Sequence, residues 1–161
     1  MTYPINLDVN GTPYPLQVDV HATLLRVVRE QVGLTGSKEG CDDSECGACM
    51  MLLDGQPVNS CCYLAVQADG SSVTTVEGLA TETDLAPLQR AILEQGGVQC
   101  GFCTPGMLIS ATRLLEHNPD PSADEVRLAL SGNLCRCTGY DGIVRAVLDV
   151  ASGAANSSLT S

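Results

Sequence analysis

The feature that most limits what this chain can become is its nine cysteines, gathered as Cys41, Cys46, Cys49, Cys61 and Cys62, then Cys100 and Cys103, then Cys135 and Cys137. The opening stretch MTYPINLDVNG has neither the basic region nor the apolar run of a secretory signal. No apolar segment approaches the ~20 residues that a membrane span needs. A cytoplasmic, reducing setting is therefore expected, where thiol buffers keep cysteines from pairing as disulfides. Clustered thiols in that setting point to ligation of a metal or a metal cluster. A formal net charge of −11 opposes a phosphate backbone, and one phenylalanine with no tryptophan leaves almost no platform for stacked bases. Nucleic acid is not an expected partner.

The chain reads as two halves, an α+β class. INLDVNG alternates apolar and polar residues and ends on the hairpin signal Asn10-Gly11, and YPLQVDV supplies the returning strand. From Thr23 the spacing turns helical, with Leu24, Leu25, Val27, Val28 and Val32 on one side and Gly33 closing the end. MMLLDGQPV is a strand pair broken at Asp54-Gly55, and SVTTVEGL reads as one more strand. Strands around one helix, with a long cysteine-bearing loop, suggest a ferredoxin-like β-grasp over residues 1–78. Residues 79–152 read as helical. An amphipathic segment spans 85–95, Thr104-Pro105 opens a helix with Thr104 as N-cap, Ser122 and Glu125 form a capping box, and GIVRAVLDVA is the last helix. Four helices this short need mutual packing, so a small bundle is expected. Residues 153–161 read as a flexible tail.

Cys41, Cys46 and Cys49 follow C-x4-C-x2-C, the spacing of plant-type 2Fe–2S ferredoxins, and Cys61 lies twelve residues on. A compact cluster needs a loop that wraps it, and Gly40 and Gly47 permit close backbone approach. Zinc is the weaker reading, since zinc sites usually join two ligand pairs rather than a wrapping triplet. Neighbours on a strand point to opposite faces, so only one of Cys61 and Cys62 should ligate. Cys61 is the preferred ligand, with Cys62 an ordinary buried thiol. The second group, Cys100 and Cys103 with Cys135 and Cys137, fits either zinc or a second cluster. Nearby helix N-termini and the first motif favour the cluster.

Taken together, GCDDSECGAC, QCGFCTPGM and NLCRCTGY resemble the motifs of the small iron–sulfur subunit of the molybdenum hydroxylases, the family of xanthine dehydrogenase, aldehyde oxidoreductase and quinoline oxidoreductase. The resemblance extends over about residues 3–150. It implies an N-terminal β-grasp domain and a C-terminal four-helix domain, each holding one 2Fe–2S cluster. It also implies a large partner subunit that binds a molybdopterin cofactor and usually a medium one that binds FAD. By motif, Cys41, Cys46, Cys49 and Cys61 would hold the flavin-side cluster, and Cys100, Cys103, Cys135 and Cys137 the cluster beside molybdopterin. Gln99 and Cys137 match the positions that approach the pterin. Ser44 stands where relatives usually carry glycine.

Other residues carry blander readings. His21 and His117 read as solvated, while Met50, Met51 and Met107 read as core filler. Asp42, Asp43 and Glu45 suit either a docking face or a solvated loop. No residue is marked for substrate chemistry. The expected protein is an electron-transfer subunit of a molybdenum-containing oxidoreductase, relaying electrons between the molybdopterin site and FAD or another acceptor. A free-standing ferredoxin-like carrier and a zinc-stabilised interaction module are the competing readings.

Overall fold

The computed structural model describes residues 1–81 and 83–153. All but the first residue of the expected tail therefore lie outside the described residues. The first half builds one five-stranded mixed sheet. Strands β1 (Thr2–Val9) and β2 (Thr12–Asp19) pair antiparallel, as do β3 (Met50–Leu53) and β4 (Gln56–Asn59). The short β5 (Ser72–Thr74) lies between β1 and β3, parallel to the first and antiparallel to the second, giving the order β2-β1-β5-β3-β4.

Both hairpins turn at the dipeptides that signal them. Asn10 and Gly11 have φ of 54° and 79°, Asp54 and Gly55 have 48° and 76°, and the pairs Val9–Thr12 and Leu53–Gln56 close two-residue loops. Asn10 also ends β5. Its side chain accepts from the Thr75 N–H at 2.9 Å and donates to the Thr75 hydroxyl at 3.0 Å, so SVTTVEGL is a strand for only three residues and then a 3-10 turn over Val76–Leu79.

Helix α1 (Leu24–Val27) starts at its Thr23 cap, widens into a π turn over Val28–Val32 and stops at Gly33, φ 85°. Its Leu24, Leu25, Val27 and Val28 pack with Ile5, Leu7, Val9, Val18, Met51 and Val73 in an aliphatic core. After Asn59 the chain leaves the sheet in a turn, where the Cys62 N–H donates to Asn59 O at 3.1 Å. Cys61 and Cys62 are therefore not on a strand, and the alternation argument does not apply to them. Their sulfurs lie 3.7 Å apart, and Cys62 is exposed rather than buried.

The second half holds α2 (Pro87–Glu94), α3 (Thr104–His117), α4 (Ala123–Ala129) and α5 (Asp141–Ala151). Leu88, Ile92, Met107, Leu108, Val126, Leu130, Ile143, Val144 and Val147 form a second core. The Ser122–Glu125 capping box is present, with the Glu125 carboxylate accepting from the Ser122 N–H at 2.7 Å. Thr104 is not an N-cap. It is the first helical residue, Cys103 takes the cap position, and the buried Thr104 hydroxyl has no hydrogen-bond partner. Met51 and Met107 are buried as core filler, Met50 is half-buried at the seam, and His21 and His117 are exposed. Among the described residues no helix is long and apolar enough to cross a membrane.

The halves meet where the cysteine loop rests on α3. Leu134 N–H donates to Cys46 O at 2.9 Å, and the Asn133 side-chain amide donates to Gly47 O at 3.1 Å. Gly47 has φ 70°, and a Cβ there would run into Gly132 O and the Asn133 amide, so both conformation and space demand glycine.

Candidate metal centres

The loop 41–49 curls because Asp42, Ser44 and Gly47 all take positive φ, at 60°, 70° and 70°. Ser44 thus adopts the left-handed conformation of a glycine. It is held there by the Asn59 amide, which donates to Ser44 Oγ at 2.9 Å and to its carbonyl at 3.1 Å. The curl turns backbone N–H groups inward. Cys46 N–H lies 3.4 Å from Cys41 Sγ. Ser60 Oγ–H donates to Cys49 O at 2.6 Å, tying the loop to the turn that carries Cys61.

The thiols meet in pairs. Cys41 neighbours Cys46, and Cys61 neighbours both Cys49 and, at 3.7 Å, Cys62 in the first half; Cys100 lies 3.6 Å from Cys137, and Cys103 neighbours Cys135, in the second. Burial and a neighbouring thiol disfavour the thiolates of Cys46, Cys61 and Cys103. Burial, followed by the neighbouring thiol, pushes Cys61 up, and Cys103 is pushed up to about 12 by burial and then by Cys135. Cys135 goes the other way. Burial works against it, but the Thr138 hydroxyl at 3.1 Å and the N–H groups of Thr138 and Cys137 hold its thiol below the usual value.

Two pairs per site fit a 2Fe–2S cluster, in which each iron takes two thiolates. The partnerless Thr104 hydroxyl, one residue from Cys103, is a further polar group that a bound cluster could satisfy. Iron ions supply the positive charge that turns crowded thiols into ligands.

The second site opens outward. Cys100, Phe102, Leu134, Arg136 and Cys137 are exposed and line one face, and the neighbouring Gln99 is exposed as well. A cleft of about 220 Å³ runs from this group to Gly40, Cys46 and Ala48, joining the two sites. Asp42, Asp43 and Glu45 are exposed on the first loop. Sequence reasoning missed Asn133, Ser110, Gly106, Asn59 and Tyr140. Ser110 Oγ–H donates to Asn133 Oδ1 at 2.6 Å, and Cys135 N–H donates to Tyr140 Oη at 2.7 Å. Asn133 and Tyr140 do lie inside the third motif, but nothing in the sequence says what their side chains reach.

The fold and the paired thiols define an iron–sulfur protein with two cluster-binding domains. The family model described as a 2Fe-2S iron-sulfur cluster binding domain matches residues 7–85, and that described as a [2Fe-2S] binding domain matches residues 75–148. The nicotinate dehydrogenase small FeS subunit of Eubacterium barkeri is 50% identical over 143 residues, 89% of this chain and 91% of the relative. The nicotine 6-hydroxylase small subunit of Paenarthrobacter nicotinovorans is 53% identical over 145 residues, 90% of this chain and 87% of the relative. The solved structure of quinoline 2-oxidoreductase from Pseudomonas putida 86 superposes with a TM-score of 0.92 at 47% identity, covering 97% of each chain. The chain belongs to the small iron–sulfur subunits of the molybdenum hydroxylases, the xanthine dehydrogenase and aldehyde oxidoreductase family. It is the iron–sulfur electron-transfer subunit of a multi-subunit oxidoreductase.

Proposed function

We propose that the chain relays electrons between a large subunit holding a molybdopterin cofactor and a medium subunit holding FAD, in the cytoplasm, through clusters held by Cys41, Cys46, Cys49 and Cys61 and by Cys100, Cys103, Cys135 and Cys137. A 2Fe–2S cluster, when bound, takes up and releases one electron at a time. The protein's own task is to hold the sites at a fixed separation and to set their potentials by N–H donation to sulfur. A β-grasp over residues 1–78 and a four-helix bundle over 79–152 divide the work, one site in each. The exposed face with Gln99, Cys100 and Cys137 suits the molybdenum subunit, because Phe102 and Leu134 frame it with apolar surface that a partner would cover. The acidic loop then faces the flavin side.

The gathering of four candidate thiols in each half carries this reading, with the halves joined by Leu134 N–H to Cys46 O. Metal and sulfide analysis of the native complex tests it. About four iron and four sulfide per chain are expected from two clusters. A value near two iron, without cluster loss, or stoichiometric zinc overturns it.

A further inference from the structure

Three polar contacts close a ring over residues 135–140, beside the second site. The Cys135 N–H donates to Tyr140 Oη at 2.7 Å, and the Tyr140 N–H donates to Thr138 Oγ1 at 3.2 Å. The third contact joins Thr138 Oγ1 to Cys135 Sγ at 3.1 Å. The ring closes because Gly139 and Tyr140 take left-handed backbone in succession, with φ of 67° and 68°. Glycine adopts that conformation freely, but a bulky aromatic does so only where its surroundings hold it there. Tyr140 is held in that way. It caps the start of α5, its carbonyl accepts from the Val144 N–H at 2.9 Å, and its side chain packs on the second core. The Thr138 hydroxyl is thus fixed against Cys135 by bonds that α5 anchors.

We propose that the Thr138 hydroxyl donates a hydrogen bond to the Cys135 sulfur of the second cluster and raises that cluster's reduction potential. The proposal rests on the reading that Cys100, Cys103, Cys135 and Cys137 hold a cluster. Ligation sets the direction of the bond. A cysteine that binds iron is a thiolate with no proton to give, so the hydroxyl is the donor. The Tyr140 N–H takes up one lone pair of the Thr138 oxygen and leaves the O–H proton for the sulfur. Among the described residues the hydroxyl has no other hydrogen-bond partner. A reduced cluster carries one more negative charge than an oxidised one, so a donor at its sulfur stabilises the reduced form more. The first site has no such device: among the described residues no hydroxyl is bonded to the sulfur of Cys41, Cys46, Cys49 or Cys61. The hydroxyl therefore acts on one cluster of the two and changes the difference between their potentials.

Redox titration of the native complex by low-temperature EPR tests this, with the second cluster's signal assigned by a Cys137→Ser variant. Thr138→Val keeps the branched shape and removes the hydroxyl. It is expected to shift the second cluster's reduction equilibrium at least threefold toward the oxidised form, ~28 mV lower at about 59 mV per decade for one electron. Thr138→Ser keeps the donor and should titrate with the parent, and the first cluster should move in neither variant. An unchanged or raised potential of the second cluster in Thr138→Val overturns the proposal. Equal shifts in Thr138→Val and Thr138→Ser overturn it too, because the serine still carries the hydroxyl. So does an equal shift of both clusters, which marks a general disturbance of the chain. If Thr138→Val fails to assemble, Thr138→Ala takes its place and the sign of its shift decides. The underlying reading fails separately, when Cys137→Ser leaves both iron–sulfur signals unchanged.

Discussion

Gly106→Ala sets two effects of opposite sign against each other at the seam between the halves. Gly106 is the third residue of α3, and glycine inside a helix is disfavoured relative to alanine by about 1 kcal/mol. Propensity alone predicts a gain. The Cβ, however, would lie 2.9 Å from Asn133 Nδ2 and still closer to the carbonyl oxygen of Gly47. The carbonyl is backbone on a loop tied down by Leu134 and Asn133, so no rotamer change relieves the overlap. Overpacking of this kind costs about 1–3 kcal/mol. Pushing the loop away also strips the Asn133–Gly47 bond and leaves the buried Asn133 amide without that acceptor, although Gly47 O keeps its bond from Met50 N–H, a further ~1–3 kcal/mol. The net expectation is a loss of about 3 kcal/mol after the propensity gain is subtracted. For a domain pair of this size that lowers the midpoint of thermal unfolding by roughly 6–12 °C. The assay is loss of visible iron–sulfur absorption on heating, at one scan rate because cluster loss is irreversible. Gly132→Ala is the control, since a Cβ there meets nothing within 4 Å. A Gly106→Ala protein as stable as the parent would show that the seam yields to an added Cβ and that no overlap with Gly47 O opposes it.

Further outcomes follow from the same geometry. Cys62→Ser should retain about four iron per chain, while Cys61→Ser should lose or damage the first cluster, because Cys61 is buried against Cys49 and Cys62 is exposed. Equal loss in both would refute that assignment. The Glu125 carboxyl is held below its ordinary 4.5 by the Ser122 hydroxyl first and the Ser122 N–H second. A lowered folded value contributes stability above the unfolded pKa that is lost as pH falls through the folded one, so the window lies below about pH 4.5. NMR titration of Ser122→Ala should find the Glu125 carboxyl returned toward its ordinary value; no change would sink the capping account. Finally, magnetic coupling to Mo(V) of the partner should be strong for the Cys100, Cys103, Cys135 and Cys137 cluster and weak for the other. If the Mo(V) splitting disappears in Cys46→Ser but survives in Cys137→Ser, the order of the relay is reversed.

Sequence by itself determined the elements whose causes are local. Asn10-Gly11 and Asp54-Gly55 turn as hairpins because those dipeptides accept positive φ, and Ser122–Glu125 caps α4 because the two side chains reach each other's backbone within one turn. The clustered cysteines declared two ligand groups for a similar reason, since spacing within a short loop limits what the loop can wrap. Only the tertiary structure decided matters that depend on residues distant in sequence. Cys61 and Cys62 lie in a turn closed by Asn59 rather than on a strand, so alternation could not tell them apart. Thr104 lost its expected cap role to Cys103, and Asn10 ended β5 from a hairpin tip 65 residues away. Asn133 reaches Gly47 across 86 residues, and the glycines at 47 and 106 are needed because those backbones meet. Such contacts have no local signature, because what selects the residue is the space and the acceptor offered by another part of the chain.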